Sequence, residues 1–194
     1  MSGRGVRWDE GTWSNQPVSS VVDGDDLVVT AVEGSDAWRT TSYGFVHDNE
    51  HALLAPLPHG SAVEVEFTVG LTEQFDQAGV FLRASATSWI KAGIEFADGT
   101  PNLGAVVTRD TSDWSSAPVP EWTGRRACIR ASRAGDAVTI RARVDDEPFR
   151  FVRLAPLDPR AAVEAGPYLC APTRAGLTVR FHRWEWKPAD ASLH

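Results

Sequence analysis

Turn-forming residues punctuate this chain at short, regular intervals, and that spacing limits the fold more than any other feature. Asp23-Gly24-Asp25, Glu33-Gly34-Ser35, Pro58-His59-Gly60, Asp98-Gly99-Thr100-Pro101, Gly135-Asp136 and Asp145-Asp146-Glu147-Pro148 separate short runs rich in Val, Ile, Phe, Trp and Thr. Such spacing is the sequence form of a β-sandwich or barrel. Several runs alternate with a period of two: Val63, Val65, Phe67 and Val69 against Glu64, Glu66 and Thr68, and Val138, Ile140, Ala142 and Val144 against Thr139, Arg141 and Arg143. Each is a strand with one apolar and one polar face. No window sustains a helical stripe beyond about two turns, and Asp158 to Glu164 reads as a short helix or turn. Roughly a dozen strands, enough for two sheets of about six, are expected in one domain over residues 1–187. Residues 188–194 read as a C-terminal tail, and the strand-like ends, Trp8 to Trp13 and Leu177 to Trp186, are expected to pair.

The central hairpin is the most informative segment. Burying Val80 and Leu82 beside Ile90, Ala92 and Ile94 requires cross-strand partners whose numbers sum to about 172 or 174. That register gathers Gln77, Gly79, Phe81 and Arg83 with Trp89, Lys91, Gly93 and Glu95 on the opposite, polar face. An indole, an ammonium, a guanidinium, an amide and a carboxylate around two glycines make a patch suited to a sugar or another polar small molecule. The alternative is a solvated sheet face whose cross-strand ion pairs are each worth under about 1 kcal/mol.

Composition excludes several classes. The formal charge of −7, with no basic block, argues against nucleic acid and anionic lipid as partners. No apolar run approaches the roughly 20 residues that span a bilayer, and the first residues carry no signal-peptide core. A cytoplasmic location is therefore expected, with the two cysteines, Cys128 and Cys170, as free thiols. Of the 19 cations only Lys91 and Lys187 are lysines.

The blocks Asp76-Gln77-Ala78-Gly79, Trp89 to Glu95, Val106-Val107-Thr108 and Ser112-Asp113-Trp114-Ser115 stand in a fixed order. Trp38-Arg39, Tyr43-Gly44-Phe45 and Asp48-Asn49 with His51 precede them. Together, over about Trp8 to Trp186, they resemble the DUF1349 or "regulation of enolase protein 1" family of the concanavalin A-like lectin/glucanase superfamily. His47 departs from that family's more often basic residue. The resemblance implies a jelly-roll sandwich of two antiparallel sheets with a concave face, and says little about activity.

The chemical candidates are thin. A glucanase strand carries carboxylates at alternate positions, whereas Lys91 to Glu95 holds one, and Glu64 with Glu66 fits a half-exposed strand. His47, His51 and His59, and the Asp23 to Asp26 turn, match no metal motif, so no metal and no cofactor are expected. No nucleophile elbow or phosphate-binding loop is present. The favoured reading is a non-catalytic module binding a carbohydrate or other polar small molecule on its concave sheet. Its expected contacts are Gln77, Arg83, Trp89, Lys91 and Glu95 from the hairpin and Trp38, His51, Asp76, Asp113 and Trp114 from neighbouring loops. Two alternatives stand beside it: an enzyme acting on a small metabolite with Glu95 and Lys91 as acid and base, and a protein-interaction or regulatory module, with a protein partner or homodimer left open.

Overall fold

The computed structural model describes residues 3–193. In chain order its strands are β1 (Arg4–Gly5), β2 (Thr12–Trp13), β3 (Ser19–Asp23), β4 (Asp26–Thr30), β5 (Ala37–Arg39), β6 (Val46–Asp48), β7 (His51–Pro56), β8 (Ser61–Thr68) and β9 (Gln77–Ser85). They continue as β10 (Ser88–Ala97), β11 (Thr100–Arg109), β12 (Thr111–Pro118), β13 (Arg126–Ala134), β14 (Ala137–Val144), β15 (Arg150–Pro156), β16 (Glu164–Cys170) and β17 (Thr178–Pro188). One sheet runs β15-β14-β13-β8-β17-β4-β3 with β1 added beside β17, the second runs β12-β11-β10-β9-β16-β7-β2, and β5-β6 forms a separate two-stranded flap. Every strand pairing is antiparallel. The protein is an all-β sandwich of two large antiparallel sheets, as the turn spacing and the alternation predict. The strand count exceeds a dozen because several strands, such as β1, β2, β5 and β6, are only two or three residues long.

Period-two patterning translates directly into burial. Along β14 each second residue is buried, and Val138, Ile140, Ala142 and Val144 join Val63, Val65, Phe67, Ile90 and Ile94 in the inter-sheet core. Phe67, Phe181, Trp122 and Trp184 are fully buried. Such side chains contribute about 1.5–3 kcal/mol apiece for a Val- to Phe-sized group.

The chain ends pair, though differently from the simplest expectation. β1 lies against Glu185 and Trp186 of β17, while Trp8–Glu10 is a 3-10 turn whose Trp8 ring stacks on Trp184 at 6.4 Å. β2 crosses to the other sheet to pair with β7. Asp158 to Glu164 holds a turn leading into β16. Beyond β17 the tail is held down: Asp190 takes Arg130 at 2.7 Å and Arg141 at 3.1 Å. Among the described residues no helix is long and apolar enough to cross a membrane. Cys128 lies on the outer face of the first sheet and Cys170 on the outer face of the second, both buried and free. The core separates them, so they cannot reach the short sulfur separation of a disulfide.

A candidate binding cavity beneath the flap

The β9–β10 hairpin adopts the register whose partner numbers sum to 172, pairing Ile90 with Leu82, Lys91 with Phe81 and Glu95 with Gln77, and slipping only at a bulge between Ser88 and Trp89. Ile90 and Ile94 face the inter-sheet core and Lys91 and Glu95 the opposite side. That opposite side is not a wet face. Lys91 is 3% exposed, Gln77 2% and Trp89 5%, because the flap and its flanking loops close over them. Gly79 and Gly93 pair directly, and a Cβ on either would run into the partner strand's backbone carbonyl. Close strand approach, rather than room for a ligand, therefore requires glycine there.

Several hydrogen bonds fix and shape the flap. Asn49 Oδ1 accepts from the Asp36 amide at 2.9 Å and its Nδ2 donates to the Gly34 carbonyl. The Arg39 amide donates to Ser112 Oγ at 2.9 Å, tying the flap to the β11–β12 hairpin. Trp38 Nε1 donates to the Thr41 carbonyl, closing a tip in which Thr40, Ser42 and Gly44 are left-handed.

Between flap and sheet lies a cavity of about 320 Å³ lined by Gly34, Asp36, Trp38, Tyr43, Phe45, His47, Phe75, Gln77, Lys91, Glu95, Val106, Trp114 and Pro172. On the flap the rings form an unbroken row: Trp38 meets Tyr43 at 5.6 Å, Tyr43 stacks on Phe45 at 5.3 Å, and Phe45 meets His47 at 4.6 Å. The polar groups sit at the sheet. Lys91 Nζ donates to Asp36 Oδ1 at 2.9 Å and to Gln77 Oε1 at 2.8 Å, and Gln77 Nε2 closes the triangle on Asp36 at 3.2 Å. Burial, the largest single influence, pushes the ammonium down, but the Asp36 charge and hydrogen bond together with the nearby Cys170 and Glu95 more than offset it and hold Lys91 above the ordinary lysine value. Burial likewise opposes ionisation of Asp36, and Lys91, the Ala37 amide and Gln77 together more than restore it.

Glu95 is different. Its Oε1 is cut off from water and has no hydrogen-bond partner. Burial raises its pKa to about 7, with Lys91 pulling it down and Asp36 pushing it up. The native protein therefore keeps a proton on Glu95 through a range where an unfolded glutamate, near 4.3, has lost it. Stability is expected to fall by on the order of 3 kcal/mol as pH rises from about 4 through 7, because the native state is the one that binds the extra proton. Urea midpoints at pH 5.5 and 8, taken for the wild type and Glu95→Gln, isolate this contribution. The variant should be relatively more stable at pH 8, and equal pH profiles would contradict the assignment.

Of the residues singled out in the sequence, Trp38, Gln77, Lys91, Glu95 and Trp114 come together around the cavity. Five others are engaged elsewhere. Arg83, at the far end of the same face, holds Glu164 at 2.9 Å. Trp89 stacks under cover on Phe81 at 5.4 Å rather than offering an open platform. His51 accepts the Val32 amide through Nε2 and contacts the Asn15 carbonyl through Nδ1. Asp76 is bound by Arg174, and Asp113 faces away from the cavity, pairing with Arg153 of β15 at 2.8 Å. Asp23 and Asp26 each take Arg180 at 2.9 Å. Among the described residues no three His, Cys, Asp or Glu side chains converge as a metal would need.

Asp36, Tyr43, Phe45, His47 and Phe75 complete the cavity without having been singled out as ligand contacts. Asp36 had a signal: it stands two residues before Trp38, so an extended segment presents both to one side.

Comparison with known proteins fits this architecture. A protein from Saccharomyces cerevisiae named "Regulation of enolase protein 1" is 32% identical over 195 residues, covering 100% of this chain and 98% of that protein. A crystal structure described as a functionally unknown protein from Saccharomyces cerevisiae superposes with a TM-score of 0.89 at 31% identity, covering 96% of this chain and 100% of that one. A xylan beta-1,4-xylosidase from Bacillus halodurans C-125 shares the fold at 12% identity and a TM-score of 0.65, over 84% of this chain and 32% of the enzyme. With the model described as "Protein of unknown function (DUF1349)" matching residues 13–189, the chain belongs to the DUF1349 family.

Proposed function

We propose that this protein is a non-catalytic binding module that takes a carbohydrate or another small polar ring compound in the cavity between the flap and the β9–β10 face. The observation that carries the reading is Glu95: a carboxyl oxygen shut off from water, without a partner, on the wall of an aromatic cavity. A buried polar atom left unsatisfied costs about 1–3 kcal/mol, and a ligand donor would relieve it once a turn of the carboxyl brings that oxygen to the cavity. The volume of about 320 Å³ matches the lower end of small-molecule sites. Aromatic walls with a few fixed polar groups suit a ring with one apolar face and polar edges. The fold shared with a xylosidase is compatible with a sugar and does not by itself argue for one.

A glycan and metabolite screen read by thermal shift tests this. Hits are expected to move the indole N–H signals of Trp38 and Trp114. Glu95→Gln should lower affinity at least tenfold, about 1.4 kcal/mol, while the fold persists. Hits that leave both indoles unmoved, or no hit at all, would refute the reading.

One observation favours an enzyme as the second reading: a carboxyl poised near neutrality is suited to proton transfer. Lys91 is not its partner in such a scheme, because Asp36 keeps the ammonium charged. Turnover of a hit, lost in Glu95→Gln, would favour this account over simple binding.

A further inference from the structure

We propose that the ligand group received by this cavity is a small organic cation, an amine or quaternary ammonium carried on a ring, seated against the flap's aromatic row with its charge toward Glu95. This rests on the binding reading above and names the class of ligand. Three independent features favour a cation. First, Trp38, Tyr43, Phe45 and His47 are contiguous along one wall and Trp114 also lines the cavity. The faces of such rings carry the negative part of their quadrupole and attract cations. Second, the charges at the sheet do not cancel once Glu95 ionises. Lys91 is consumed by Asp36 at 2.9 Å and Gln77 at 2.8 Å, so that pair adds no net charge, and the Glu95 carboxylate has no cation of its own. Third, Glu95 Oε1 has no donor, which an ammonium N–H or the positive field of a quaternary group would supply.

An anion would meet the opposite: ring faces and a carboxylate that both repel it, and a lysine already engaged. A neutral hydroxylated ring would gain stacking and a hydrogen bond to Glu95, but would leave the carboxylate's charge unbalanced whenever Glu95 ionises. The titratable groups around Glu95 are Asp36, Tyr43, His47 and Lys91 on the cavity wall, with Tyr168 and Cys170 on the same sheet face. Burial holds the latter two uncharged near neutrality. Because Glu95 is half protonated near pH 7, a bound cation would drive it to ionise and release a proton, and cation affinity should rise from pH 5.5 to pH 8.

Two matched ring series decide the matter: glucosamine, glucose and glucuronate, then cyclohexylamine, cyclohexanol and cyclohexanecarboxylate. Each is titrated calorimetrically at pH 6.5 in two buffers of different ionisation enthalpy. In at least one series the amine is expected to bind about tenfold or more tightly than its neutral counterpart, with proton release. Glu95→Gln should erase both the preference and the release. A neutral or anionic member binding as well as the amine, or a preference surviving in Glu95→Gln, would overturn the proposal. If none of the six binds, the broader screen decides: a cationic hit with Glu95-dependent proton release supports the proposal. A neutral or anionic hit sinks the cation alone, and no hit sinks the cation and the binding reading together.

Discussion

Lys91→Met is expected to destabilise the protein by about 3–5 kcal/mol, lowering Tm by roughly 6–20 °C for a domain of this size. Met keeps the length and the apolar stem of the lysine, so the loss reports the charge. Removing the ammonium leaves Asp36 largely enclosed beside Gln77, with only the Ala37 amide and one amide N–H of Gln77 to stabilise its charge. An uncompensated charge in that position is the costly product, more than any intrinsic worth of the pair. The double variant Asp36→Asn with Lys91→Met should therefore recover at least half of the loss, because Asn still offers an acceptor to the Ala37 amide and carries no charge. Urea or thermal unfolding of the two variants checks this. A loss below about 1 kcal/mol in Lys91→Met would mean that the pair behaves as an exposed surface bridge, and that the flap does not seal this face in solution.

That contrast marks how far the sequence could be read. Alternation settles which side of a strand a residue faces, because a one-residue slip would bury Lys91 and Glu95 in the inter-sheet core; it restricts the register to an even sum, 172 or 174, of which the hairpin takes 172. It says nothing about what lies on top of the other side. The cover is the flap, two strands of three residues each with left-handed Thr40 and Ser42 at the tip. Strands that short carry no periodicity to detect, and their position over β10 is set by long-range bonds such as Arg39 to Ser112, 73 positions apart. Hence Trp89 and Lys91, polar or amphipathic in composition, read as solvent-facing and are in fact enclosed. Asp113 shows a second limit. It and Trp114 are neighbours in a block that looks functional, but adjacent strand residues face opposite ways. Val106 pairs with Trp114 on the cavity side, and Val107 pairs with Asp113 on the other. The block was legible, but which of its two residues reaches the cavity depends on the β11–β12 register.

Asp76 is where the sequence reading and the geometry diverge most in consequence, and its replacement should be the second large effect. As a ligand contact, Asp76→Ala would cost affinity and little stability. The structure gives this carboxylate another task. Asp76 is 1% exposed, and its Oδ2 accepts from the Thr72 and Glu73 amides at 3.1 Å and from Arg174 Nη2 at 2.7 Å, while Arg174 Nε reaches both oxygens at 3.1 Å. One side chain thus closes the loop before β9 and pins the segment after β16 to it. Hydrogen bonds to a charged group are worth about 1.5–3 kcal/mol each, and burying their donors unpaired adds to the cost. Asp76→Ala is therefore expected to lose about 3–5 kcal/mol in urea unfolding, at unchanged m-value. Asp76→Asn, which keeps an acceptor for the two amides but drops the charge facing Arg174, should lose roughly half as much. Binding should weaken as well, but indirectly. Phe75, the residue immediately before Asp76, is left-handed and lines the cavity, and its amide donates to the Phe96 carbonyl while the Phe96 amide donates to the Asp76 carbonyl. Loosening that exchange would release one wall of the site. The two roles separate cleanly: a structural Asp76 makes stability and affinity fall together across the Ala and Asn variants, in the same order. An Asp76→Ala protein with wild-type stability and no affinity would instead place Asp76 in direct contact with the ligand, and would require the loop to open away from Arg174 when the ligand binds.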